Sequence, residues 1–148
     1  MMNTSKNIQL RLSRLIAAGR EQVFKAWTDP ALLRQWFCPT DMSVAAAEAV
    51  LRVGGAYKVQ MRKRSGEIHT AFGIYREIIP NEKLVFTWGW EGPERHETLV
   101  TIELRDKDNG TELVLIHERF ADQASADHHS QGWQSCLENL AARINGFM

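Results

Sequence analysis

The chain has 148 residues, a length that fits one domain, and its 18 basic and 18 acidic side chains give a formal net charge of +0. Surfaces that bind nucleic-acid phosphates normally carry a basic excess, so the composition argues against a nucleic-acid partner and against a strongly anionic membrane surface. No apolar run approaches the roughly 18 residues that a membrane-spanning helix needs.

The N-terminal residues lack the basic segment and apolar core of a secretory signal, so we expect a cytoplasmic protein. The two cysteines, Cys38 and Cys136, lie far apart in the sequence. In a reducing compartment they are expected to remain free thiols.

The first elements are a strand and two short helices. Ile8 to Ala17 alternates between apolar and polar residues, which predicts a strand, and Arg20 to Trp27 has its apolar residues at helical spacing. A second short helix is expected to begin at Asp29-Pro30, because the aspartate can accept a hydrogen bond from the first turn and the proline gives up no needed donor there. This helix should end near Pro39.

Strands are expected through the middle of the chain, because apolar and polar residues alternate between turn signals. Ser65-Gly66 and Asn109-Gly110 predict tight hairpin turns. The expected strands are Val44 to Leu51, Tyr57 to Met61, His69 to Ile79, Lys83 to Trp90, Thr98 to Leu104 and Glu112 to His117.

After Phe120 the pattern changes to steps of three and four residues, which predicts one long helix. Gly132 lies inside this helix and costs about 1 kcal/mol relative to alanine, so we expect it to let another group approach the backbone beside Trp133. The apolar face of this helix comprises Ala126, His129, Trp133, Leu137, Leu140, Ala141 and Ile144.

Grouped strands followed by a long helix indicate an α+β fold, a single domain over residues 1–148 with two short helices after the first strand. The helix must bury its apolar face, and the only large surface available is a curved antiparallel sheet of about six to seven strands wrapped around it. A pocket opens wherever the sheet and the helix separate, and such places are common small-molecule sites.

Aromatic residues and histidines at the ends of these elements mark the expected pocket. Plain core packing is the alternative reading, because each aromatic side chain can bury roughly 150–250 Å². The candidate pocket residues are Trp36, Phe37, Met61, Phe72, Phe86, Trp88, Trp90, His117, Phe120, His129, Trp133 and Leu137.

Two of these candidates, His117 and His129, could act as general acid or base, since the unperturbed histidine pKa lies near neutrality. The alternative is a structural histidine whose nitrogens are bonded within the fold. His128 and His129 are adjacent on a helix and point about 100° apart, so we expect no metal site. The sequence has no glycine-rich phosphate loop and no nucleophile elbow, and we expect no cofactor.

The order of elements, together with several motifs, resembles the helix-grip fold of the SRPBCC superfamily of START-domain and Bet v-type pocket proteins. Within it, the chain is similar to bacterial homologues of the C-terminal domain of the heat-shock protein 90 ATPase activator. Relatives typically carry an acidic pair where this chain has Ser130 and Gln131. The motifs are Val23 to Pro30, Trp36-Phe37, Gly54 to Tyr57, Gly73 to Ile78, Leu84 to Trp88, Thr111 to His117, and His129 with Gly132-Trp133.

Three functions follow as expectations. The first is a protein that binds a small apolar or aromatic molecule between the sheet and the last helix. The second, which the resemblance permits, is a cofactor-free enzyme of cyclase, hydrolase or dehydratase type that uses His117 or His129. The third, also implied by the resemblance, is an interaction module whose partner is a chaperone. A monomer and a homodimer both stay open.

Overall fold

The structure is a computed structural model that describes residues 8–92 and 96–147. Most of the N-terminal segment on which the expectation about a secretory signal rests lies outside the described residues. In chain order, the elements are β1 (Leu10–Ile16), α1 (Arg20–Thr28), α2 (Pro30–Trp36), β2 (Ser43–Ala49), β3 (Ala56–Arg62), β4 (Ile68–Ile79), β5 (Lys83–Trp90), β6 (Thr98–Lys107), β7 (Gly110–Glu118), α3 (Gln123–Arg143) and a short 3-10 helix (Ile144–Gly146).

The strands form one 7-stranded sheet in the order β1-β7-β6-β5-β4-β3-β2. Every neighbouring pair is antiparallel. Helix α3 buries one face, which includes Trp133, Leu137 and Leu140, in a core shared with the inner face of the sheet. The predicted α+β class is therefore confirmed, with two short helices after β1 and a long C-terminal helix against a curled antiparallel sheet.

The second short helix begins as its sequence predicts. Asp29 caps it, and its Oδ1 atom accepts a hydrogen bond from the Ala31 amide at 2.9 Å, with Pro30 in the first turn. Inside, the rings of Trp27 and Trp36 meet edge to face with their centroids 4.8 Å apart. The indole N–H of Trp36 donates to the carbonyl of Ala26 at 3.0 Å, so both helices are fixed to each other by a buried contact.

The hairpin between β6 and β7 turns one residue earlier than predicted. Its central residues are Asp108 and Asn109, which have positive φ angles of 49° and 64°. Gly110 is instead the first residue of β7 and pairs with Lys107. A side chain is excluded at Gly110 because its Cβ would lie 2.4 Å from the carbonyl oxygen of Ile16, at the end of β1.

A second glycine, Gly73, permits a close approach between β4 and β5. A Cβ atom at this position would lie 1.9 Å from the Thr87 carbonyl oxygen. That same oxygen accepts a hydrogen bond from the Tyr57 hydroxyl at 2.6 Å, and the Thr87 hydroxyl accepts one from the Ile74 amide at 2.8 Å. The register of the two strands shifts a few residues further on, between Tyr75 and Glu77. Glycine at such a place is typical of a strand that bends.

We predict that Gly73→Ala destabilises the protein by about 1–3 kcal/mol or more, because the added methyl group must displace the Thr87 backbone and the Tyr57 hydroxyl. Urea unfolding measures this loss. Gly146→Ala is the matched control, since a Cβ there meets nothing within 4 Å and its backbone is not in the left-handed region. Equal stability of the two variants would show that the close approach at Gly73 does not constrain the sheet.

Candidate functional site

A chain of hydrogen bonds joins α3 to the inner strands through His117, which is fully buried. The indole N–H of Trp133 donates to Nδ1 of His117 at 2.9 Å. Because an indole nitrogen can only donate, Nδ1 is the acceptor and the ring proton lies on Nε2. Nε2 then donates to the Thr98 hydroxyl at 2.7 Å, and that hydroxyl donates to the Trp88 carbonyl at 3.1 Å.

His129 is fixed in the same way, but here the histidine lies on the helix and the tryptophan lies on the sheet. The indole N–H of Trp90, on β5, donates to Nε2 of His129, on α3, at 3.0 Å. Nδ1 of His129 therefore carries the proton, and it donates to the carbonyl of Ser125 at 2.8 Å. The rings of His117 and His129 lie edge to face with their centroids 5.2 Å apart.

We call these contacts the two Trp–His pairs: Trp133 with His117, and Trp90 with His129. In each pair a neutral imidazole accepts a hydrogen bond from an indole N–H. The donor lies on the helix in the first pair and on a strand in the second pair. Burial lowers the pKa of His117 from 6.5 to about 2, with a further contribution from His129. Burial also lowers the pKa of His129. Both imidazoles are thus held in the uncharged form.

Beside these pairs, an open cleft of about 860 Å³ lies between α3, strands β3 to β5 and the loop after α2. Trp88 and Trp90 contribute from β5, Met61 from β3, and His129, Gly132, Trp133 and Cys136 from α3. Charged groups are few, with Lys63 and Asp41 in the lining. The cleft therefore combines aromatic walls with a small number of polar groups.

The structure separates the predicted pocket residues into those that line the cleft, those that lie in the core, and Phe72, which lies elsewhere. Those that line the cleft are Met61, Trp88, Trp90, His129 and Trp133. Those that lie in the hydrophobic core or, for His117, buried beside it, without lining the cleft, are Trp36, Phe37, Phe86, His117, Phe120 and Leu137.

Phe72, which was expected to line the pocket, lies instead on the outer face of the sheet. Its neighbours in β4, Ala71 and Gly73, are buried toward the core, and alternation along the strand turns Phe72 to the other side. There it packs over Gly89 and lines a separate cavity of about 290 Å³. The predicted strand is present, but the sequence alone does not distinguish an aromatic ring that covers a glycine on the outer face from one that lines the pocket.

Several lining residues were missed by the sequence analysis. Cys136 follows His129 by seven positions, so helical spacing alone could have placed it on the cleft face. Gly132, at which the sequence predicts a close approach to the helix backbone, lines the cleft three positions after His129. Among the remaining ones, His128, Gln131 and Ser135 lie on α3. Pro39 to Met42, Lys63 and His69 lie in or beside turns, where no periodic signal exists.

One lip of the cleft, residues 39–42, is attached to α3. The Ser135 hydroxyl accepts from the Thr40 amide at 2.7 Å and donates to the Thr40 hydroxyl at 3.1 Å. One helical turn later, the Asn139 side chain donates to the Cys38 carbonyl at 2.8 Å. These bonds fix the position of the lip relative to the helix.

The thiols in and beside the wall are uncharged. Burial raises the pKa of Cys38 to about 11 and raises the pKa of Cys136 further, so both thiols stay protonated. The buried indole N–H of Trp88 has no acceptor among the described residues. Within that same part of the chain, no group of three histidine, cysteine, aspartate or glutamate side chains could hold a metal ion. No described helix is both long and apolar enough to span a membrane.

The fold and the cleft define a helix-grip protein with an aromatic cleft beside its long helix. Residues 17–145 match the family described as Activator of Hsp90 ATPase homolog 1-like protein, and the chain belongs to this family. A comparison with curated proteins finds no significant match.

Solved structures agree with this assignment. A protein from Chromobacterium violaceum is 30% identical with a TM-score of 0.81, over 92% of this chain and 96% of its own. The AHSA1 protein from Silicibacter pomeroyi is 29% identical with a TM-score of 0.82, over 93% of this chain and 98% of its own. A protein from Nitrosomonas europaea, 22% identical, shares the fold with a TM-score of 0.80 over 93% of this chain and 94% of its own.

The neutral state of His117 predicts a pH-dependent stability. The unfolded chain binds a proton here below about pH 6.5, whereas the folded chain stays neutral down to about pH 2. The free energy of unfolding is therefore highest above pH 6.5 and falls on acidification, by up to about 1.4 kcal/mol per pH unit for this group. Urea unfolding between about pH 5 and pH 7 measures the slope.

His117→Gln is the control for this slope. A glutamine amide can accept from Trp133 and donate to Thr98, but it does not titrate. The variant should lose the contribution of His117 to the slope, whatever its stability at neutral pH. An unchanged slope would mean that acid sensitivity arises elsewhere in the protein.

Proposed function

We propose that this protein binds a small apolar or aromatic molecule in the cleft between α3 and strands β3 to β5. The observation that carries the proposal is the cleft itself, about 860 Å³ in volume with Trp88, Trp90 and Trp133 in its walls. This volume is within the range of about 300–1,000 Å³ that small-molecule pockets occupy. The proposal includes a cytoplasmic location, where buried free thiols such as Cys38 and Cys136 persist.

The state of the histidines favours binding over proton transfer. His117 is sealed in the core, and its nitrogens are bonded to Trp133 and Thr98. His129 lines the cleft, but its nitrogens are bonded to Trp90 and the Ser125 carbonyl. An acid or base must have a nitrogen within reach of the substrate. The hydrogen bonds instead give both histidines the role of orienting the tryptophans that the ligand would contact.

The lining also indicates which ligands fit. The lining has little net charge, because Lys63 and Asp41 are opposite in sign and Lys63 already lies 3.8 Å from Glu67. Aromatic rings of a ligand would meet tryptophan rings in edge or offset contacts, which contribute about 0.5–1.5 kcal/mol each beyond area burial. Shape and apolar contact, more than charge, would select the ligand.

Met61→Ala should weaken ligand binding about tenfold, because the methionine supplies apolar contact worth roughly 1.4 kcal/mol. Native mass spectrometry of the purified protein, followed by calorimetry with the molecule found, measures the change. Ile74→Ala is the matched control, because Ile74 lies on β4 with its side chain on the outer face. Equal binding by both variants would place the ligand outside the cleft.

A second candidate function is contact with an Hsp90-type chaperone, as the family description suggests. One observation favours it: the connection between β2 and β3 exposes apolar side chains, with Val50 53%, Leu51 44% and Val53 62% accessible. Clustered exposed apolar residues often mark a protein interface.

If this connection contacts the chaperone, the double variant Leu51→Ser with Val53→Ser should lose any stimulation of bacterial Hsp90 ATPase activity that the unmodified protein shows. Leu15→Ser is the control, because Leu15 is also 50% exposed but lies on β1 at the opposite edge of the sheet. No stimulation by the unmodified protein, or its survival in the double variant, would contradict this candidate.

A further inference from the structure

No contact within the protein explains why residue 132 is a glycine. It lies in the middle of α3, where glycine destabilises a helix relative to alanine. A Cβ atom at this position would meet nothing within 4 Å, so no neighbouring side chain or backbone requires its absence. Gly73 and Gly110 differ in this respect, because each of them avoids a clash with a carbonyl oxygen.

The space that Gly132 leaves open belongs to the cleft. Gly132 lines it together with His129 and Cys136, which lie three residues before and four residues after it on the same face of α3. These neighbours carry side chains into the wall, so the bare helix backbone at Gly132 forms a recess between them. Across the cleft, the sheet contributes Met61 and Trp90.

We propose that Gly132 is a specificity-determining residue, and that a planar aromatic group of the ligand lies against the α3 backbone at this position, facing the tryptophans of β5. This inference rests on the proposed function and adds the class of ligand and the point of contact. A flat ring fits a space bounded by a bare helix backbone on one side and aromatic side chains on the other. A flexible alkyl chain gains less from such walls, because it must give up many rotamers to lie flat.

One substitution, Gly132→Ala, should have opposite effects on the stability of the protein and on ligand binding. Alanine at position 132 should strengthen the helix, and the melting temperature should rise by about 3 °C. The same methyl group fills the recess that the ring would occupy, and the affinity for a planar ligand should fall. A substitution that affected only the stability of the helix would not raise the melting temperature and weaken ligand binding at the same time.

The experiment uses two carboxylates that differ in shape, naphthoate and dodecanoate, with calorimetry and thermal unfolding of three proteins. The unmodified protein should bind naphthoate more tightly than dodecanoate. Gly132→Ala should bind naphthoate about tenfold or more weakly. Gln134→Ala is the control, since Gln134 is an exposed residue of α3 outside the cleft lining, and it should bind as the unmodified protein does.

The outcomes distinguish this inference from the proposed function. If Gly132→Ala binds naphthoate normally while Met61→Ala binds it weakly, the cleft is the site but Gly132 does not select the ligand. Tighter binding of dodecanoate than of naphthoate by the unmodified protein overturns the planar ligand class. Failure of both compounds to bind the unmodified protein overturns this inference, whereas the proposed function fails only if native mass spectrometry also finds no bound molecule.

Discussion

The arrangement of helix and sheet depends on the two Trp–His pairs. An indole N–H can only donate, so each pair requires a neutral imidazole with one particular nitrogen free to accept. A buried polar group left without its partner costs about 1–3 kcal/mol. Because Trp133 bonds from helix to strand and Trp90 from strand to helix, a rotation or a slide of α3 would break both bonds. The pairs therefore fix the helix in one position on the sheet.

The position of the cleft follows from this constraint. The pairs hold the first half of α3 close to β5 and β7, and the 39–42 lip is attached further along the helix through Ser135 and Asn139. Close to these attachments the helix wall includes Gly132 and Cys136, which are too small to reach the sheet. The helix is thus held to the sheet by the two Trp–His pairs and to the 39–42 lip by Ser135, and the cleft opens beside these attachments.

The fold could be predicted from the sequence because its signals are local. Asp29-Pro30 begins a helix by its own chemistry, alternation identifies the strands, and helical spacing identifies α3. The site was predicted only in part, because lining a cleft and filling a core have the same local pattern. Trp36 and Trp90 are both tryptophans at element ends, yet only tertiary packing decides that the first is sealed and the second meets the cleft. His117 could not be assigned a role from the sequence, since its tautomer depends on Trp133, 16 positions away.

The core and the cleft wall form one continuous aromatic structure. Ring centroids are separated by 6.0 Å from Trp27 to Trp133, 5.0 Å from Trp133 to Trp88 and 5.4 Å from Trp88 to Trp90. Interiors of this kind are close-packed, so the ring at the cleft is held in place by the rings behind it. A ligand that contacts such a wall loses less free energy to side-chain ordering than one that contacts mobile surface residues. Under the proposed function, His117 and His129 would contribute to binding in the same way, because their hydrogen bonds fix the indoles of Trp133 and Trp90 in advance.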